Sequence, residues 1–314
     1  MTGSSRLLTL LWNDSSGWDE KEKVRESIES TLTAEGESLQ VERVHHGGNL
    51  REMSQAIVSS GTDVLIAAGG DGTINAAASA LVHQSAALGV IPAGTLNHFA
   101  RDLHIPLDPK EAARVLLRSG TLEVDAGEVN GRIFINNSVL GLFPNYRSTR
   151  EAWERRGFGG SSIGRLIAML AGVLRVFWRM PHVDVEIEVE GEVRKLRTPF
   201  VLIGNNEHRM RGFAPGERSS LSEGRLWVYV MRRCTRWGLL RMLVGLVLGR
   251  TPLRDVFEVF RAPRLRINSK PRRIGVGVDG EMVRMVAPLE YRSLPRALRV
   301  ISPLAGSAEQ ISAG

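Results

Sequence analysis

The chain has 314 residues, 43% of them hydrophobic, and a formal net charge of +7. That length buries one large core or two moderate ones, and the apolar content excludes a chain disordered throughout. The only cysteine, Cys234, excludes a disulfide framework and points to a reducing compartment, while the positive charge suits a polyanion, a nucleotide or an acidic membrane surface.

The first seventeen residues contain too short an apolar run for a secretory signal. Residues 6–12, RLLTLLW, form the continuous apolar run that a strand covered on both faces requires. A charged helical stretch follows from Asp19 to Glu35, then a strand in SLQVERV and an amphipathic helix in LREMSQAIVSS. DVLIAAG reads as a third strand, TINAAASALVHQ as a helix and ALGVIPAG as a fourth strand. After NHFARDL, the segment DPKEAARVLLRSG carries an N-cap signal at Asp108 and a proline, Pro109, at the first helical position. This βαβα order predicts an α/β N-terminal domain, residues 1–124, with a mostly parallel sheet.

From residue 121 the texture changes. TLEVDAGEVNGRIFINNSVLG reads as strands joined by an Asn130-Gly131 turn, and HVDVEIEVEGEV alternates with period two. Further strands are predicted at 198–204, 225–231, 256–268 and 273–287. Residues 125–302 are therefore expected to form a second, β-rich antiparallel, sandwich-like domain, its C-terminal end free to pack back on the first. Helical insertions are expected near 161–180 and 237–249, and a flexible tail at 303–314. Arg165, Arg175, Arg179 and Arg241 interrupt the two helical stretches, so neither reads as a membrane span. The stretch 161–180 puts Ile163, Leu166, Ile167, Leu170, Leu174 and Phe177 on one stripe with arginines at its rim. That pattern fits either an ordinary amphipathic helix or a segment resting on anionic lipid.

The densest chemistry lies in IAAGGDGTINAAASAL, residues 66–81. Gly69, Gly70 and Gly72 follow strand three at the carboxyl edge of the expected parallel sheet, where open α/β sheets bind ligands. Glycines there permit unusual φ angles and close approach of a ligand to the backbone. The helix starting near Thr73 aims its free N–H groups at the same space, a phosphate site by geometry. Asp71 among the glycines points to work on Mg²⁺ or on a hydroxyl. No Lys-Ser/Thr follows, so the loop is not a Walker A motif.

GGDGT is the signature of a superfamily holding diacylglycerol and sphingosine kinases, NAD kinases and 6-phosphofructokinases. With GVIPAGTLNHFARDL at 89–103, the chain resembles the bacterial diacylglycerol kinase-like lipid kinases. His98 stands where that family most often has Asp. The resemblance continues in order through nearly the whole chain: an Asn turn after strand one, GGDGT, GT-x-N, an acidic-Gly turn and a late Asp-Gly-Glu.

The resemblance implies ATP as phosphoryl donor, Mg²⁺, a lipid hydroxyl as acceptor, and a protein at the inner membrane face in the cytoplasm, with a homodimer possible and no nucleic acid partner. Nucleotide contacts fall on Asn13, Ser16 and Gly17 of WNDSSG, where Asp14 replaces the family's Pro. They continue on Gly69, Gly70, Asp71, Gly72, Thr73 and Asn75, and on Thr95 and Asn97. Thr95 suits a phosphate or ribose oxygen, with a helix cap as its alternative, and Asn97 suits a base or a bridge between loops. A structural Mg²⁺ site falls on Ser220, Glu223 and Arg225, with Glu where the family more often has Asp. In IGVGVDGEMVRMV, a type I′ turn accounts for Asp279 and Gly280 but not for Glu281, to which the resemblance assigns the proton acceptor, with Asp71 the other catalytic residue. Asn205, Asn206 and Glu207 are the best support for the alternative of an NAD kinase. A third alternative is a catalytically silent binder of nucleotide and lipid.

Overall fold

The structure, a computed structural model, describes residues 6–14, 20–34, 37–45, 49–141, 182–211, 214–231 and 257–305. Its first half runs β1 (Leu7–Asn13), α1 (Lys21–Thr33), β2 (Ser38–Val44), α2 (Leu50–Ser59), β3 (Val64–Gly69), α3 (Asp71–Leu81), β4 (Ala87–Pro92), α4 (His98–Asp102) and α5 (Pro109–Arg118). The four strands pair in parallel in the order β2-β1-β3-β4. β3 and β4 are buried at every residue, which is why both are unbroken apolar runs. α1 packs with α5 and α2 with α3. The Asp108 carboxylate accepts from the Glu111 N–H and Pro109 opens α5, as its sequence signal requires.

The second half continues with β5 (Thr121–Val129), β6 (Arg132–Phe134), β7 (Asn137–Gly141), β8 (Val183–Val189), β9 (Glu192–Thr198), β10 (Phe200–Asn205), β11 (His208–Arg211) and β12 (Ala214–Arg218). Then follow β13 (Leu226–Met231), β14 (Phe257–Ala262), β15 (Arg264–Lys270), β16 (Arg273–Val278), β17 (Glu281–Val286) and β18 (Leu289–Ile301). A six-stranded antiparallel sheet, β14-β13-β10-β7-β16-β17, shares one apolar core with β5, β6, β18, β15 and β8. This is the antiparallel β-rich unit expected from the alternating segments. Asn130-Gly131, Glu190-Gly191 and Asp279-Gly280 all take positive φ at both residues, the demand of a type I′ hairpin.

The main departure from the sequence reading is β18. No strand was expected beyond residue 287, yet this one is thirteen residues long. It pairs with β15 and β5, and at Val300↔Leu88 it lies parallel to β4, joining both halves in one ten-stranded sheet. Its register shifts between Leu294 and Leu298, where Arg296 takes φ 49°. That irregularity breaks the alternation by which a strand is read. Leu298, Val300 and Ile301 enter the core of the first half beside Val124 and Ile135. The expected boundary at 124/125 falls within β5. The helical stretches at 161–180 and 237–249 and residues 306–314 of the tail lie outside the described residues. Among the described residues no helix is long and apolar enough to cross a membrane.

Candidate active site

Three loops meet at the carboxyl ends of the parallel strands: Asn13 closing β1, residues 69–73 after β3, and residues 93–97 after β4. The glycines there act by their lack of a side chain. None of Gly69, Gly70 and Gly72 takes a positive φ, contrary to the expectation of unusual angles, and Gly70 sits at φ −82°. A Cβ on Gly69 would lie 2.5 Å from Thr73 Oγ1, the atom that accepts from Asn13 Nδ2 at 2.9 Å. A Cβ on Gly94 would lie 3.0 Å from the Gly70 Cα, so the two loops pack backbone against backbone. Gly72 faces open space, with nothing within 4 Å of an added Cβ.

Asp71 is the first residue of α3 and half-buried. Its Oδ1 accepts from the His98 N–H at 3.1 Å, and Oδ2 has no hydrogen-bond partner among the described residues. Asn97, at φ 49°, closes its own turn: Oδ1 accepts from the Gly94 N–H and Nδ2 donates to the Gly94 carbonyl, both at 2.8 Å. Asn97 also occupies the N-cap position of α4, so Thr95 is no cap; it is exposed and without a hydrogen bond to the described residues. Ser16 and Gly17 lie outside the described residues.

The hairpin of β16 and β17 reaches this site through its tip. Asp279 does more than shape the turn. Its Oδ1 accepts from the Asn136 and Asn137 N–H groups, each at 2.9 Å. Its Oδ2 accepts from the Ile135 N–H at 2.7 Å and from Asn75 Nδ2, on α3, at 2.6 Å. Burial pushes the Asp279 carboxyl up from its ordinary value, against the three backbone N–H groups and the Arg218 charge, which favour the ionised form. Asn75 Oδ1 accepts in turn from Arg51 Nη2 at 2.9 Å, so both ends of the Asn75 amide are occupied within the protein. Burial, and then the nearby Arg132 guanidinium, lower the Arg51 pKa, while Glu281 and Asp279 oppose that shift. Glu281 is 60% exposed and its Oε2 accepts from Arg132 Nη2 at 2.6 Å.

Ser220, Glu223 and Arg225 share the turn between β12 and β13. Glu223 Oε2 accepts from Trp227 Nε1 at 2.7 Å, and the Arg225 carbonyl accepts from the Asn206 N–H at 3.3 Å. Among the described residues no group of three or more His, Cys, Asp and Glu side chains is placed to hold a metal ion. Asn205 Nδ2 donates to the carbonyls of Asp125 and Ile135, Asn206 Oδ1 accepts from the Glu223 N–H, and Glu207 accepts from Ser219. That segment therefore knits neighbouring turns together. Arg51, Arg132, Asp102 and Arg218 carry much of the surrounding network; Asp102 stands near the end of the segment 89–103, and the three arginines belong to none of the motifs that mark the site in the sequence.

Two family models match in succession: "Diacylglycerol kinase catalytic domain" over residues 7–129 and "YegS C-terminal NAD kinase beta sandwich-like domain" over residues 164–302. A Pseudomonas aeruginosa protein named "Probable lipid kinase YegS-like" is 30% identical over 294 residues, 91% of each chain. This chain belongs to the diacylglycerol kinase-like lipid kinase family. Within that family a Bacillus subtilis diacylglycerol kinase is 30% identical over 247 residues, 77% of this chain and 78% of that protein. The crystal structure of a diacylglycerol kinase from Bacillus anthracis superposes with a TM-score of 0.74 at 21% identity, covering 98% of this chain and 100% of the other. It shares the α/β unit followed by the antiparallel β-rich unit.

Proposed function

We propose that this member of the family transfers the γ-phosphoryl group of ATP to the hydroxyl of a lipid such as diacylglycerol or a sphingoid base. The observation that carries the reading is the 2.6 Å bond from Asn75 to Asp279, which seats the Asp-Gly-Glu hairpin on the helix that begins at Asp71.

The phosphates of ATP rest against the amino end of α3, where Gly72 leaves the backbone open and the helix N–H groups favour negative charge. Asn13, Gly69, Gly70, Thr73 and Thr95 line that approach, and Ser16 and Gly17 extend it by the family resemblance. Asn75 and Asn97 hold the loops. Asp71 suits Mg²⁺ through Oδ2, which is unengaged among the described residues, and the ion, when bound, neutralises charge on the transferring phosphates. Glu281 takes the proton of the lipid hydroxyl as the lipid oxygen bonds to the γ-phosphorus and the bond to the β,γ-bridging oxygen breaks, releasing ADP. Arg132 keeps Glu281 in place. Asp279, with four donors on its two oxygens, is a holder and not the base. At Ser220, Glu223 and Arg225, Glu223 Oε1 is the carboxylate oxygen left for a cation among the described residues, and a metal there has a structural part only. The charge of +7 accords with work at an anionic membrane face.

Incubating the protein with γ-labelled ATP and, separately, diacylglycerol, sphingosine, phosphatidylglycerol and NAD tests the reading. Label is expected in the organic phase with a lipid acceptor. Label on NAD alone, or on no acceptor, overturns it.

A further inference from the structure

We propose that Arg218 is a positioning residue that fixes the orientation of the Asp-Gly-Glu hairpin relative to Asp71. This rests on the kinase reading above. Arg218 and Asp102 form an ion pair whose side chains are 1% and 5% exposed. The Arg218 backbone N–H donates to Asp102 Oδ1 at 3.1 Å and Nε donates to Oδ2 at 2.8 Å. Nη1 donates to the Ile135 carbonyl at 2.7 Å and to the Asn205 carbonyl at 3.3 Å, and the guanidinium carbon lies 5.5 Å from the centre of the Phe99 ring.

Two charges buried this deeply gain little stability over an apolar pair of similar size, so stability alone does not explain them. What arginine adds is a rigid fork that addresses several acceptors at once. Here the fork joins two ends of the site. Asp102 and Phe99 belong to α4, whose first N–H, at His98, holds Asp71 Oδ1. Ile135, whose carbonyl takes Nη1, gives its own N–H to Asp279 Oδ2. A path of bonds therefore runs from Asp71 through α4, Asp102, Arg218 and Ile135 to Asp279. The Asn75–Asp279 bond closes the same circuit from α3. Both bonds reach Asp279 Oδ2, one from α3 and one from the Ile135 backbone, beside the Asn136 and Asn137 N–H groups on Oδ1, so by holding Ile135 Arg218 steadies the segment 135–137 against which the hairpin tip is set. Arg218 is hydrogen-bonded to neither Asp71 nor Glu281; it reaches the hairpin through the Ile135 carbonyl and through its positive charge near Asp279.

The test uses the full chain with two replacements. Arg218→Lys keeps the charge but loses the fork. The double variant Asp102→Leu with Arg218→Leu removes both charges and leaves apolar packing. With the wild type transferring phosphoryl to lipid, we expect kcat per folded molecule to fall about 10- to 100-fold while KM for ATP stays within about twofold. The amides of residues 135–137 are expected to exchange hydrogen faster in both variants. Should the double variant fail to fold, Arg218→Lys carries the test. Wild-type kcat in folded variants, or a lowered kcat with unchanged exchange at 135–137, overturns the role while leaving the kinase reading intact. Absence of transfer by the wild type overturns the reading and the role together.

Discussion

Two aspartates stand beside glycines in this chain and lead opposite lives. Among the described residues Asp71, between Gly70 and Gly72, has one hydrogen bond to its carboxylate and leaves Oδ2 unengaged at the mouth of the parallel-strand loops. Asp279, before Gly280, is saturated by three backbone N–H groups and the Asn75 amide. The local sequence is nearly the same chemistry in both. The difference is the number of donors that the rest of the fold brings to each. A carboxylate with free lone pairs is available for a cation or a substrate, and one without them serves as a fastener.

That contrast can be pressed hardest at Glu281, two residues beyond the fastener. Glu281→Gln keeps size and hairpin but removes the base, and kcat is expected to fall about 10²–10⁴-fold with little change in ATP affinity, as read by steady-state kinetics. Full activity there would mean that the hairpin serves structure alone. A smaller effect is expected from Asn75→Ala, which strands Arg51 Nη2 and removes one donor from Asp279. Denaturant unfolding should show a loss of about 1–3 kcal/mol. Unchanged stability would mean that the hairpin is not seated through α3. The smallest effect is at Gly72, where an added Cβ meets only open space. Gly72→Ala should leave stability unchanged or raise it by up to about 1 kcal/mol, since alanine suits a helix better, while weakening ATP binding measured by calorimetry. Unchanged ATP affinity would place the phosphates elsewhere.

The parallel half was legible because burial on both faces forces runs such as VLIAAG and ALGVIP, and because Asp108-Pro109 states a helix start outright. The hairpins at Asn130-Gly131 and Asp279-Gly280 were legible because few residue pairs accept positive φ twice. β18 was not, since its alternation breaks at the register shift beyond Leu294 and its partners lie far away in the chain. The site divides on the same line. The glycine-flanked motifs named the β3–α3 loop and the hairpin. Of the reasons for the glycines, the unusual φ angles are not found, and the close packing of Gly70 against Gly94 was not legible because it joins two separate loops. The work of Asn75, Arg51, Asp102 and Arg218 depends on partners up to 204 residues away, which no local pattern encodes.

The most direct measurement sets Asp71→Asn beside Asp279→Asn, with kcat and melting temperature recorded for each. In Asp71→Asn the amide oxygen can still accept from the His98 N–H, but the charge is gone. The expected result is a kcat lowered about 10²–10³-fold at a near-wild-type melting temperature. In Asp279→Asn an amide NH₂ must replace an oxygen that accepts two hydrogen bonds, and the expected result is a loss of about 1–3 kcal/mol of stability, seen as a lower melting temperature. An active Asp71→Asn together with an Asp279→Asn as stable as the wild type would contradict the division between an available carboxylate and a fastening one.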